Sequence, residues 1–239
     1  MLTISVVIPS YNDSEMLRNC LAAIARQTRP ADEVVVVDNG STDDTTQAAT
    51  AWGARVVQES ERGIPAATAA GFDAATGQIF ARLDADSVPR ADWLARIEEH
   101  FMAADDLAAV TGPGDFYGAS RPVKWFAERL YIGGYFWFFT WRLGHPPLFG
   151  SNFAIRASAW LQLREGSHRE VRTLHDDLDL SYQFAPGQRI VYDPALVVGV
   201  SARPFASPAG LIRRVWWGYT TAAANREVRR QRSRAAARE

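Results

Sequence analysis

"TISVVIPSYNDSEMLRNCLAAIARQTRPADEVVVVD", residues 3–38, reads as strand, helix, strand. The apolar run at 3–9 is too short and too β-branched for a helix. Leu17, Leu21 and Ile24 recur at helical spacing within 14–27, the pattern of an amphipathic helix. Four consecutive valines at 34–37 make the segment 32–38 a strand buried on both faces.

The alternation continues outward. Residues 42–53 predict a helix opened by Ser41 or Thr42 and closed by Gly53, and 54–59 predict a strand. Residues 64–77 predict a helix with Pro65 in its first turn, and 78–84 a further strand. Short links between alternating strands and helices imply a parallel sheet covered on both faces. Such sheets bind ligands at the carboxyl ends of their strands. Asp38 and Asp84 end strands and Tyr11 follows one, so three polar loops converge on one edge.

The second half is less regular. Helices are expected at 90–103, 158–165 and 175–185, and strands within 106–114, at 151–156 and over 189–203. The stretch "YIGGYFWFFTW" (131–141) is an aromatic helix, and a last helix starts at Ser207 and Pro208 and covers 207–239. Its Arg- and Ala-rich end after Asn225 is expected to fray. The expected division is a first half (1–112), a second half (113–206) and a C-terminal helix with a basic tail (207–239).

A net charge of −1 argues against a nucleic-acid partner. The single cysteine, Cys20, rules out an internal disulfide or a Cys-based zinc site and fits a reducing cytoplasm. The first ten residues lack the basic start and cleavage site of a signal peptide. No apolar run reaches the ~18–20 residues of a spanning helix.

Chemistry is concentrated in a few motifs. "GQIFARLDADSVPR" (77–90) places two aspartates one residue apart after an apolar run. In an extended strand Asp84 and Asp86 point to one side and repel unless a cation or donor lies between them. Magnesium takes one or two protein carboxylates with phosphate oxygens and water. An acidic turn capping the next helix is the plainer reading of that pair taken alone. "VVVVDNGSTDDT" (34–45) sets Asp38 at a strand tip, able to accept an N–H from a flat heterocycle; Ser41 with Asp44 also reads as a capping box. "VVIPSYND" (6–13) offers Tyr11 to lie along a base. "HDDLDLS" (175–181) opens a helix with Asp176, Asp177 and Asp179. Dipole compensation explains one or two of these acids, and a third suggests a general base.

In this order, and with "RGIPAATAAGFDAATGQI" and "GSNFAIR" between them, these motifs resemble the family 2 glycosyltransferases of GT-A fold over residues 4 to about 203. The resemblance implies an α/β, Rossmann-like nucleotide-binding sheet with helices on both faces, fused to an acceptor-side lobe and a C-terminal amphipathic helix. It implies inverting, non-processive transfer of one sugar from a UDP- or GDP-type donor, with Mn2+ or Mg2+. The acceptor is a glycan or a lipid-linked molecule of cell-envelope polysaccharide or glycolipid synthesis. By position, Pro9, Tyr11, Asp38, Arg62 and Asp84 serve the nucleotide, Asp84 and Asp86 the metal, and Asp177 is the catalytic base. Asn152, Asp176 and Asp179 fall on the acceptor side.

Two departures stand out. Ala67-Thr68-Ala69 replaces the usual Ala-Arg-Asn, leaving Arg62 or Arg82 to supply an arginine, and Asp176-Asp177 replaces a Glu-Asp pair. The stripe Leu211, Ile212, Val215, Trp216 and Tyr219, flanked by Arg213 and Arg214, suits either an interfacial helix or one packed on the core. The first would put residues 131–141 and 207–225 against the inner face of a membrane. Two rival classes remain. One is a haloacid-dehalogenase-like phosphatase with Asp84 as nucleophile and Lys124, the one lysine, as its cation; the other is a nucleotide-sugar-binding protein without turnover.

Overall fold

The computed structural model of the chain describes residues 1–205, 207–226 and 228. The first half follows the expected alternation: β1 (Ile4–Ser10), α1 (Ser14–Ile24), β2 (Glu33–Asp38), α2 (Thr45–Trp52), β3 (Arg55–Gln58), α3 (Ile64–Ala74) and β4 (Ile79–Arg82). Then come β5 (Val88–Pro89), α4 (Trp93–Ala103), β6 (Leu107–Thr111) and β7 (Gly114–Tyr117). A helical stretch follows as α5 (Arg121–Trp125), a π-helical segment (Phe126–Ile132) and α6 (Gly133–Leu143). The chain closes with β8 (Phe153–Arg156), α7 (Ala157–Leu163), α8 (Asp176–Gln183), β9 (Arg189–Tyr192), β10 (Val198–Ser201), a 3₁₀ turn (Arg203–Phe205) and α9 (Pro208–Ala224).

The main sheet has the strand order β3-β2-β1-β4-β8-β6-β9. β1, β2, β3 and β4 pair in parallel, and β8 runs antiparallel to both β4 and β6. Strands β5, β10 and β7 form a second, small sheet. Alternation along the strands divides the core. Val6, Ile8, Val34 and Val36 face Leu17 and Leu21 of α1 and Leu94 and Ile97 of α4. Val7, Val35 and Val37 face Ala67 and Phe72 of α3, Trp160 of α7 and Leu180 of α8. The α/β sheet with helices on both faces, expected from the pattern, is what forms.

Three local readings change. α2 starts at Thr45 rather than 42, because the loop amides are already taken: Ser41 N–H by Asp38 and Thr42 N–H by Asn12. Asp44 is its N-cap, and no side chain caps it, so the Ser41–Asp44 capping box does not form. β4 ends at Arg82, so Asp84 and Asp86 lie in a turn and strand alternation does not explain their shared side. α9 opens as expected, with Ser207 accepting from Gly210 N–H at 3.2 Å. The expected fraying after Asn225 falls largely outside the described residues.

Candidate functional site

β1 and β2 are paired neighbours with Ser10 opposite Asp38, so the loops leaving them meet. Pro9 is half-buried on β1. Tyr11 is 48% exposed, and the Arg62 guanidinium carbon lies 3.3 Å from its ring centroid. Arg62 also donates to the Asn39 and Gly40 carbonyls, at 2.8 and 3.0 Å. Asp38 is buried, accepting from Ser41 N–H at 2.9 Å and from the Thr46 hydroxyl at 2.6 Å. Burial alone would raise its pKa, but these bonds outweigh it and hold the carboxyl below its ordinary range. Sequence reading missed Asn39, whose side chain binds the Glu59 and Glu61 carbonyls and the Gly63 amide and so ties Arg62 to the tip of β2.

The turn after β4 is folded by Ser87, which donates its N–H to the Asp84 carbonyl and accepts the Asp84 N–H. This brings Asp84 and Asp86 onto one cavity of about 1040 Å³, which Asp177 also lines. Behind them lies Arg82, 1% exposed. It contacts Asp84 at 2.6 Å, Asp176 at 3.1 Å and the Gly150 carbonyl. Burial would lower its pKa, but Asp176, Asp84 and Asp177 together raise it, so it stays cationic. Asp84 also accepts the Ser151 hydroxyl at 2.5 Å.

Asp177 accepts from Gly150 N–H at 2.6 Å and from Leu178 N–H at 2.7 Å. Burial, then Asp176, pushes its pKa above the ordinary carboxylate value. A Cβ on Gly150 would stand 2.9 Å from the Arg82 guanidinium and 3.1 Å from the Asp177 carboxylate, so only glycine fits here. "GSN" was the sequence signal for this loop, without its reason.

Asp86 is pushed up to about 6, by burial first and the Asp84 charge second. Arg203 meets it at 3.1 Å and holds Asp13 with two N–H groups, at 2.7 and 2.8 Å. A guanidinium therefore stands where a carboxylate pair calls for positive charge. Among the described residues no three His, Cys, Asp or Glu side chains gather as a ligand set. The donors present fit an oxygen-seeking divalent ion that takes two protein carboxylates and completes its shell with phosphate and water.

The three residues expected on the acceptor side, Asn152, Asp176 and Asp179, do not line the cavity. Asn152 is fully buried; it accepts from the Trp93 indole at 2.8 Å and donates to the Pro113 and Leu196 carbonyls. It braces the loops behind the site. Asp179 is 2% exposed and spends its oxygens on His168 and Asn225. A helix start with three acids offers several faces, and only Asp177 turns to the cavity. Asp176 stays behind it, holding Arg82 and the Thr68 hydroxyl (2.7 Å). Lys124 is committed to Asp115 and Glu128 and lines a separate cleft from Asp84, so the phosphatase reading loses its cation.

Residues 5–163 match the family described as glycosyl transferase family 2. The glycosyltransferase AglE of Haloferax volcanii is 38% identical over 101 residues, which are 39% of this chain and 33% of that protein. The mannosyltransferase PcManGT of Pyrobaculum calidifontis, solved with GDP-Man and Mn2+, superposes with a TM-score of 0.70 at 27% identity, covering 89% of this chain and 61% of that one. Glucosyl-3-phosphoglycerate synthase of Mycobacterium tuberculosis shares the fold, with a TM-score of 0.65 at 22% identity over 94% of this chain and 79% of that one. The matched region thus spans about a third of the curated relative and 61% of the mannosyltransferase.

Proposed function

The chain belongs to glycosyl transferase family 2, and on that premise we propose that it transfers one sugar, with inversion, from a nucleotide diphosphate sugar to an acceptor hydroxyl or phosphate. The observation that carries this reading is the convergence of Asp84, Asp86 and Asp177 on one cavity. Pro9, Tyr11 and Arg62 form the nucleoside end. Asp38, at the tip of β2 opposite Ser10, accepts from the base. Arg82 is too enclosed to touch the nucleotide; it holds Asp84 and Asp176 in place.

Asp84 and Asp86 would hold Mn2+ or Mg2+, which neutralises charge on the departing diphosphate. Asp177 accepts the acceptor's proton as that oxygen bonds to the anomeric carbon. The bond from that carbon to the diphosphate breaks, and the diphosphate leaves with the electron pair. The low-lying Gly150 amide fixes the Asp177 oxygen and so the line of proton transfer.

The donor is of UDP or GDP type; the mannosyltransferase's GDP-Man and Mn2+ make GDP with manganese the first pair to try. The acceptor is a glycan or lipid-linked molecule of the cell envelope. No described helix is long and apolar enough to cross a membrane, and we place the enzyme in the cytoplasm, resting on the inner membrane face through 131–141 and 207–225.

Thermal unfolding with UDP and GDP, with and without manganese, tests the donor site on wild type and Asp86→Ala. A nucleotide at 100-fold over its dissociation constant adds roughly 2.7 kcal/mol. The expected result is a shift for one nucleotide that requires manganese and disappears in Asp86→Ala. No shift under any condition overturns the transferase reading.

A further inference from the structure

The cavity continues beyond the aspartates, between the helical stretch 121–143 and α9. Its walls there are Tyr131, Tyr135, Phe139 and Phe149, with Arg142 and Arg214 among them. Three apolar residues both line it and are open to solvent: Phe138 at 42%, Val215 at 61% and Tyr219 at 57%. They are its rim. Just outside that rim the same two helices expose Trp137 and Trp141, each 74%, and Ile212 and Trp216, at 68% and 59%. Tryptophan and tyrosine beside arginine is the composition that settles at a lipid–water boundary.

Charge and hydrogen bonding add two independent observations. The two helical stretches carry Arg121, Lys124, Arg129, Arg142, Arg213 and Arg214 against one acid, Glu128, although the whole chain is close to neutral. Of these, Lys124 and Arg129 line a separate cleft, whereas Arg142 and Arg214 line this cavity and Arg213 is exposed next to Arg214, positive charge that complements an anionic surface. Inside the cavity, Tyr182 is 2% exposed; its hydroxyl oxygen faces Arg142, which can only donate, and its O–H finds no acceptor among the described residues. A buried orphan donor is costly unless a ligand satisfies it. Arg142 stands close to that hydroxyl, and Arg214 beside the hydroxyl of Tyr131.

We propose that this arm of the cavity binds a lipid-borne phosphate, drawn from an anionic bilayer on which α6 and α9 rest. The anionic group lies against Arg142, Arg214 and the Tyr182 hydroxyl, and the apolar chain leaves past Phe138, Val215 and Tyr219. Calling this molecule the acceptor rests on the transferase reading above; its binding does not. The lipid enters sideways, from the membrane, and meets Asp177 at the inner end.

The test is a fluorescence titration of the nucleotide-free full chain with decyl phosphate, decanol and inorganic phosphate. Decyl phosphate is expected to saturate roughly tenfold more tightly than decanol, the worth of one charge-assisted hydrogen bond, and at least as much more tightly than inorganic phosphate, which has no apolar chain to bury. Tyr182→Phe, which removes one oxygen only, and Arg214→Gln should each weaken it by a similar factor. Pelleting with phosphatidylcholine vesicles should require added phosphatidylglycerol and fail in Trp137→Ser/Trp141→Ser. Inorganic phosphate binding as tightly as decyl phosphate would mean a soluble phosphate ligand and overturn the proposal. So would decanol matching decyl phosphate, variants binding like wild type, or no pelleting. The nucleotide–manganese shift is run beside it: if that persists while decyl phosphate fails, the lipid site falls and the donor site stands. If decyl phosphate binds and no nucleotide does, the lipid site stands without a transferase.

Discussion

A carboxylate that takes a proton must be ionised first, and Asp177 has been made harder to ionise. Burial and Asp176 raise its pKa, while the Gly150 amide and Arg82 restrain the rise. As pH falls, the base is therefore lost earlier than an ordinary carboxylate with a pKa near ~3.9 would be. The acid limb of kcat/KM is expected above that value. Asp86 is also raised, to about 6, so the profile is to be measured at saturating manganese, where metal occupancy no longer limits the rate. Asp177→Asn should lower kcat by ~10²–10⁴-fold and remove that limb. The nucleotide–manganese thermal shift should survive, since Asp177 contacts neither. A variant that kept its acid limb would assign the limb to another group. Arg82 shows what a single residue conceals. In "IFARLD" it reads as a break in an apolar run, yet it is almost fully enclosed and holds two aspartates. Residue type and spacing marked Asp84 and Asp86 as a pair and the acids at 176–179 as a cluster, and only the family resemblance singled out Asp177. They did not distinguish Asp179 or Asn152, because a helix start or a loop does not reveal which partner each polar atom finds.

Elements reach the site through close packing. α3 lies so near β1 and β2 that a Cβ on Gly71 would collide with Val7 and stand 2.9 Å from Val37. Gly71→Ala is expected to destabilise by about 1–3 kcal/mol, as overpacking does, and to shift β1 and β2, whose tips carry Tyr11 and Asp38. Denaturant unfolding checks the first effect and nucleotide affinity the second; an unchanged midpoint would mean that α3 moves freely. A second junction is electrostatic. Asp193, just past β9, accepts from Arg96 at 2.7 Å and His100 at 2.9 Å, both on α4. Burial would raise its pKa, but His100 and Arg96 outweigh it and push the carboxyl down to about 2. A carboxyl lowered by folding stabilises above its unfolded pKa, near ~3.9, and loses that contribution as pH falls through its folded value. Asp193→Asn should therefore cost about 1–3 kcal/mol at neutral pH and almost nothing near pH ~2. A pH-independent difference would point to packing instead. Strand β8 was legible as a strand from its apolar residues. Its antiparallel place between β4 and β6 was not, since pairing between segments more than 40 residues apart leaves no local signature.

The alternating half of the molecule was readable because β1, β2 and β4 are buried on both faces and their helices pack against the sheet, with only the edge strand β3 partly open. The other half wraps the site with short strands and an aromatic helix whose partners are distant in sequence, so only its pieces were visible. Arg203 joins the two ends of the chain. It lies in the turn before α9, 190 residues from Asp13, the residue before α1, and grips that aspartate with two N–H groups while its Nη2 meets Asp86. The contact closes the molecule across the mouth of the donor site. It also places a fixed cation against a carboxylate that a divalent ion would need. On the proposed reading, a divalent ion held by Asp84 and Asp86 would compete with that guanidinium for Asp86. Arg203→Gln keeps a polar, shorter side chain and removes the charge. It should tighten manganese binding to the nucleotide-free protein by roughly tenfold, the scale of one charged contact. Free manganese measured by electron paramagnetic resonance reads this directly, without turnover. The same variant should unfold at a slightly lower temperature, because Asp13 and α9 lose their link, although a half-exposed ion pair contributes only about 0–1 kcal/mol. Unchanged manganese affinity would show that Arg203 swings aside at no cost, and weaker affinity would show that it orients Asp86 for the metal rather than competing with it.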